Sequence, residues 1–124
     1  MRFKIPYPPT KAGKAQWAKD YGLNAYYAGK HWSKRKKDAE FWHALVRSEL
    51  RKQGIKPRPF REAVIISFWW NDRLDIDNHA AMGKMIVDAL KGVLLQDDTK
   101  KYVKGVGHLF HDEDYILVEV TEIK

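Results

Sequence analysis

Residues 62–98 read EAVIISFWWNDRLDIDNHAAMGKMIVDALKGVLLQDD, and the change of pattern inside this stretch decides the fold. Glu62 to Trp70 is β-branched and aromatic, a composition that suits a pleated, buried surface and predicts a strand. Beyond it the period changes. Met82, Met85, Ile86, Ala89 and Val93 recur at helical spacing, which predicts a helix over about 79–91 with Gly92 as its stop. Asp77, Lys84, Asp88 and Lys91 fall in a narrow stripe on the opposite side.

Working outward, residues 2–7, RFKIPY, alternate with Phe3, Ile5 and Tyr7 on one side and predict a first strand. Pro6 marks it as an edge or ending strand, and Pro8-Pro9 stop it. Residues 10–32 lack a clean period and are expected to form a long loop, with a helical turn at 14–20. Ser33 is the expected N-cap of a helix that runs to about Gln53 and ends at Gly54, with Ala39, Trp42, Val46 and Leu50 facing the core. Lys56 to Pro59 form a turn. Strands near 102–110 and 115–123 are expected to make a hairpin across His111 to Asp114. The order β-α-β-α-β-β predicts an α+β fold: a small mixed sheet with helices packed on one face. At 124 residues the chain is expected to be one domain, 1–124, because half of it would bury too little surface for a core.

A hydrophobic share of 44% is that of a folded globular chain rather than a disordered one. Without cysteine there is no disulfide framework and no thiolate metal site. No run approaches the roughly 18 apolar residues of a membrane span, and MRFKIPYPP has no signal-peptide core, so a soluble cytoplasmic protein is expected. A net charge of +7 favours a polyanionic partner, nucleic acid before an anionic membrane. The densest basic run is KHWSKRKK, residues 30–37. Lys34, Arg35, Lys36 and Lys37 crowd the start of the first helix, where cations oppose the helix dipole. A phosphate site explains them, and a solvated terminus is the plain alternative. Trp69 and Trp70 alternate faces, so one of them is expected to face away from the helices.

The acids raise the sharper question. In an extended segment Asp75 and Asp77 aim two carboxylates at one point, and Asp98 can join them only if the chain doubles back. Carboxylates held close repel one another, and a divalent cation relieves the repulsion. Hard oxygen ligands select Mg²⁺ or Mn²⁺, which can orient a water for attack on a phosphodiester. The alternative is that Asp75-Ile76-Asp77-Asn78 caps the helix and Asp97-Asp98 is a turn. A calcium loop of the EF-hand type does not fit: Ala80 stands where glycine is needed and Ile86 where the bidentate glutamate belongs. Lys84 is placed to pair with an acid or touch the scissile phosphate. His79, beside Asn78, is placed to hydrogen-bond a phosphate or an acid, with a plain first-turn helix residue as the favoured reading, and His108 and His111 are too sparse for a zinc site.

The stretch DIDNHAAMGKMIVDALKGVLLQDD, residues 75–98, resembles the RusA family of Holliday junction resolvases. The shared pattern is Asp-x-Asp-Asn, a lysine heading Lys-x-x-x-Asp-Ala-Leu, and an Asp-Asp pair. IPYPPT followed by NAYY, with Asn24 and Tyr27, resembles the family's proline-proline-Ser/Thr opening and its Asn-x-x-Tyr. The resemblance implies a homodimer of a small α/β fold that nicks four-way DNA junctions symmetrically with Mg²⁺ or Mn²⁺. It implies catalytic, metal-holding roles for Asp75, Asp77 and Asp98, and a catalytic role for Lys84. One spacing departs from the family: the lysine usually stands four residues after the second aspartate, where this chain has Ala81, and Lys84 stands seven after. Four and seven share a helical face, so Lys84 keeps the direction but sits about 4.5 Å further along the axis. Lys34, Arg35, Lys36, Lys37 and Asn78 are the expected DNA contacts. Two other functions fit the same residues: a non-catalytic DNA-binding protein whose acids are caps, and a metal-dependent nuclease acting on flap DNA or RNA.

Overall fold

The computed structural model describes residues 1–23, 25 and 29–123. Strand β1 (Arg2–Pro6) leads into helix α1 (Lys11–Tyr21) and the long helix α2 (Trp32–Lys52). Strand β2 (Val64–Trp70) is followed by a 3₁₀ turn (Ile76–His79), helix α3 (Ala80–Leu90) and strands β3 (Val103–Phe110) and β4 (Tyr115–Glu122). The fold is α+β, with a four-stranded mixed sheet in the order β1-β4-β2-β3. Asn24 and Tyr27 lie outside the described residues.

The expected hairpin is not formed. β4 lies between β1 and β2, antiparallel to both, and β3 runs parallel to β2 on its other side. Burial explains the choice. β4 alternates Ile116, Val118 and Val120, all fully buried, and so belongs inside the sheet. β3 carries Gly105 and Gly107 and leaves Val106, Leu109 and Phe110 exposed, as an edge strand can. A parallel pair needs a long crossover, which the segment containing α3 supplies. The 111–114 connection passes the end of β2, where His111 N–H donates to the Trp70 carbonyl at 3.0 Å.

The helical turn expected at 14–20 within a loop is a full helix over Lys11–Tyr21. Thr10 Oγ1 accepts from Gly13 N–H at 2.9 Å, a proper N-cap. The helix buries only the adjacent Trp17 and Ala18, with Tyr21 packed beside them, so its periodicity is weak. Trp17 anchors it, edge-on to Tyr7 with ring centroids 5.0 Å apart and 6.1 Å from Trp42. The cap of α2 is His31 rather than Ser33: its Nδ1 accepts from Ser33 N–H at 3.2 Å. The buried stripe of α2 is Asp38, Trp42, Val46 and Leu50, at a strict four-residue spacing, and Ala39 is exposed. Asp38 is buried in an ion pair with Lys30. Gly92 follows α3 with φ +79°, a left-handed stop that costs a glycine nothing.

Phe3, Ile5, Val64, Ile66, Phe68, Trp70, Ile116, Val118 and Val120 lie on one face of the sheet and form the core with Trp17, Trp42, Met82, Ile86 and Leu90 of the helices. Trp70 is the buried member of the tryptophan pair. Trp69 is on the other face, in register with Leu109 and Leu117. Ile65 and Leu109 are exposed there, beside an edge that carries Arg2, Lys4 and Glu119, so that face is open and of mixed polarity. Among the described residues no helix is long and apolar enough to cross a membrane.

Candidate active site

The turn between β2 and α3 is pinned from beneath. Tyr7 Oη donates to Asp72 Oδ2 at 2.7 Å and accepts from Asn71 N–H at 2.8 Å. Leu74 N–H donates to Asp72 Oδ1 at 3.0 Å. His79 Nε2 lies 2.8 and 3.0 Å from the two Asp72 oxygens, and its Nδ1 lies 3.1 Å from the Ile76 carbonyl. Both ring nitrogens therefore face oxygen acceptors. The ring stacks on the face of Trp70, with centroids 4.4 Å apart, in the dry core. Burial alone would push the Asp72 carboxyl up. The hydrogen bonds from His79 and Tyr7, with the electrostatic pull of His79, outweigh that and hold it below its ordinary range. Burial pushes the Tyr7 phenol far up, so it remains a donor.

His79 is thus not a plain first-turn residue, and Asp72 was not among the expected site residues. Asp72 and His79 share one turn, but Tyr7 comes from just past the far end of β1, 65 residues from Asp72. The one sequence signal is a histidine on the core side of a strand-to-helix turn, seven residues after an aspartate.

Asp75 and Asp77 stand on this pinned turn, both exposed. The turn Ile76–His79 is 3₁₀ rather than extended, closed by Asn78 N–H to the Asp75 carbonyl at 3.0 Å. The alternation expected to align the two carboxylates therefore does not apply, because each 3₁₀ residue turns by about 120°. Asp75 occupies the N-cap position, yet its side chain makes no capping hydrogen bond. Asp77, in the first turn, keeps the favourable position at the positive end of the helix. Asn78 is half-buried across a cleft of about 220 Å³ from Lys19 and Arg73.

Asp98 and Lys84 meet elsewhere, in a cleft of about 280 Å³ lined also by Ala80, Asp88, Val106 and His108. Lys84 is exposed and pairs with Asp88 at 3.3 Å, one turn along α3. Lys91 bridges Asp88 at 3.5 Å and Asp98 at 3.1 Å. The Lys91 ammonium beside it holds the Asp98 carboxyl below the usual carboxylate range, and Asp98 in turn raises the lysine. Lys91 is steadied from behind: Arg47 donates to the Ala89 carbonyl at 3.1 Å and to the Lys91 carbonyl at 2.7 Å, capping the C-terminus of α3 with a cation. Ala80, three residues beyond Asp77, is among the residues that line this cleft, and Asp75 and Asp77 are not.

Among the described residues no group of three His, Asp or Glu side chains stands together as a metal centre. Asp75 and Asp77 share one turn, and Asp98 is held by Lys91. Lys34, Arg35, Lys36 and Lys37 are all exposed at the start of α2, whose first turn holds no acid. Neither a protein-family model nor a curated protein matches the chain, so the chemistry of these residues carries the functional argument.

Proposed function

We propose that this protein is a metal-dependent endonuclease that resolves four-way DNA junctions by paired nicks, as the resemblance to the RusA family implies. One observation carries the reading: Asp75 and Asp77 are exposed carboxylates with no capping bond or ion pair among the described residues, on a turn that a buried Asp72–His79 pair holds in place. Asp75 serves no cap, which weakens the non-catalytic alternative. A chain of net charge +7 that keeps bare acids at a rigid turn suits a site where phosphate and a cation meet.

The donor set is one of hard oxygens and fits Mg²⁺ or Mn²⁺. Asp75 and Asp77 would hold the ion, and Asp98 would have to give up its pair with Lys91 to join them. The ion supplies Lewis acidity and lowers the pKa of the attacking water. The chain supplies the rest. Lys84, tethered only by an exposed pair, is free to turn toward a phosphate oxygen. The basic start of α2 and Asn78 hold the DNA backbone. The deciding assay is incubation of a synthetic four-way junction with Mg²⁺ or Mn²⁺ beside duplex, flap and RNA controls. Paired nicks confined to the junction are expected. Cutting only of flap or RNA moves the protein to the wider nuclease class, and binding without cutting makes it a DNA-binding protein.

Two further outcomes follow. Junction affinity should fall steeply with salt, by a log–log slope of about 0.9 for each phosphate contact. Arg35→Ala, Lys36→Ala and Lys37→Ala combined should flatten that slope by up to about 2.7. An unchanged slope returns the run to a solvated helix end. Paired incisions also need two sites, and a two-fold dimer matches the symmetry of a four-way junction. The open sheet face around Trp69 is the interface this reading requires. Light scattering should give about twice the 14.5 kDa chain mass, and Trp69→Lys should move it toward the monomer. A wild-type monomer that still made paired nicks would overturn the symmetry argument.

A further inference from the structure

His108 is set apart from the other histidines by how its ring is held. It lies on β3, stacked against Phe68 at 5.4 Å and Trp70 at 5.9 Å between ring centroids. Trp70 Nε1–H donates to His108 Nδ1 at 3.1 Å. An indole nitrogen can only donate, so His108 Nδ1 must be the acceptor and carries no proton. The proton of the neutral ring is therefore on Nε2. That edge of the ring lies against α3 at Gly83: a Cβ there would stand 2.9 Å from His108 Cε1 and 3.6 Å from Nε2. The helix thus has a glycine where the imidazole needs the room. Both residues line the cleft that holds Lys84, Asp88 and Asp98.

We propose that His108 is a substrate-contacting residue, a neutral imidazole whose tautomer is locked by Trp70 so that its Nε2–H donates to a non-bridging oxygen of a DNA phosphodiester in this cleft. The inference rests on the nuclease reading for the identity of that ligand. Several features agree with it. Lys84 and Lys91 balance the two carboxylates of the cleft, so a neutral donor there serves phosphate through a directed hydrogen bond rather than by adding charge. Burial, with the nearby His79 charge 6.5 Å away between ring centroids, pushes the His108 imidazole down and keeps it neutral. The lock also bars His108 from ligating a metal through Nε2. That would require the proton on Nδ1, facing the indole N–H donor to donor.

The test uses the whole chain labelled with ¹⁵N at histidine. Long-range ¹H–¹⁵N spectra should show His108 Nδ1 as an unprotonated nitrogen and Nε2 as protonated. Adding a four-way junction in EDTA, so that no strand is cut, should shift the His108 Nε2–H signal. In Mg²⁺, His108→Phe keeps the stacked ring but not the donor and should lower kcat/KM for junction cleavage by about tenfold to a hundredfold. His108→Gln, which restores an N–H, should recover part of it. Thermal unfolding of both variants separates this from a loss of fold. A proton found on Nδ1, or an Nε2–H signal unmoved by the junction, overturns the proposal even if the wild type cleaves. If the signal shifts and the wild type cuts nothing, the phosphate contact stands and the nuclease reading fails.

Discussion

Asp75→Asn and Asp77→Asn are each expected to lower junction cleavage by at least about 10³-fold, the loss of several kcal/mol of metal-assisted stabilisation, while junction binding persists or tightens. An amide keeps the size of the carboxylate but neither its charge nor its strength as a ligand for a hard cation. It also removes negative charge that repels phosphate, so affinity should hold or rise. The two effects move in opposite directions, and a stability defect moves both downward. A gel shift beside a cleavage time course therefore reads the prediction without ambiguity. Because neither side chain has a hydrogen bond or ion pair among the described residues, little folding energy is at risk in either variant. Wild-type turnover by either one would remove these acids from the site. Asp98→Asn addresses the second half of the site. It frees Lys91 from its 3.1 Å pair, and cleavage should fall there as well if Asp98 must exchange that lysine for the cation.

Asp72→Ala is expected to cost about 3–5 kcal/mol of folding stability, the range for breaking one side of a buried ion pair. The Asp72 and His79 side chains are 1% and 0% exposed, so no water replaces the lost partner. The substitution leaves His79 Nε2, the Tyr7 hydroxyl proton and the Leu74 amide without their acceptor together. Against a typical total of about 5–15 kcal/mol, such a loss moves a denaturant midpoint far. The sign of the pH dependence follows from the same pair. The Asp72 carboxyl is held below its ordinary value of 3.8, so its contribution is fully present above that value and is lost as the pH falls through the folded-state value. Wild-type stability should therefore drop in acid below about pH 4, and the drop should shrink in Asp72→Ala. Equal acid sensitivity in both would mean that the pair is not what holds the turn.

Much of the fold was legible because periodicity is local. The alternation of 2–7, the β-branched run ending at Trp70, the methionine face of α3 and the stop at Gly92 each lie within a few residues, and each element formed where its pattern stands. Helix α1 was legible only as a helical turn at 14–20 for the converse reason: its large core contacts are Trp17 and Tyr21, two aromatic residues one turn apart, and so short a stripe barely registers as a period. Ser33 lost the cap of α2 to His31 because an imidazole lone pair can take the place of a hydroxyl. The acids were legible as residues but not as an arrangement. That Asp75 and Asp77 share a turn is written in the chain. That the turn is 3₁₀ depends on its anchoring to Asp72 below.

The sequence by itself determined the strands, the two longer-patterned helices α2 and α3 and the positions of the candidate acids, because those follow from side chains that are neighbours along the chain. Only the tertiary structure decided the strand order and the support of the site. β4 takes the interior because its fully buried Ile116, Val118 and Val120 need neighbours on both sides, a demand no local pattern can rank against a hairpin. Tyr7 reaches Asp72 across 65 residues, and Trp70 reaches His108 across 38. Such contacts form only when burial leaves each polar group no partner but the other, and that condition belongs to the packed core as a whole.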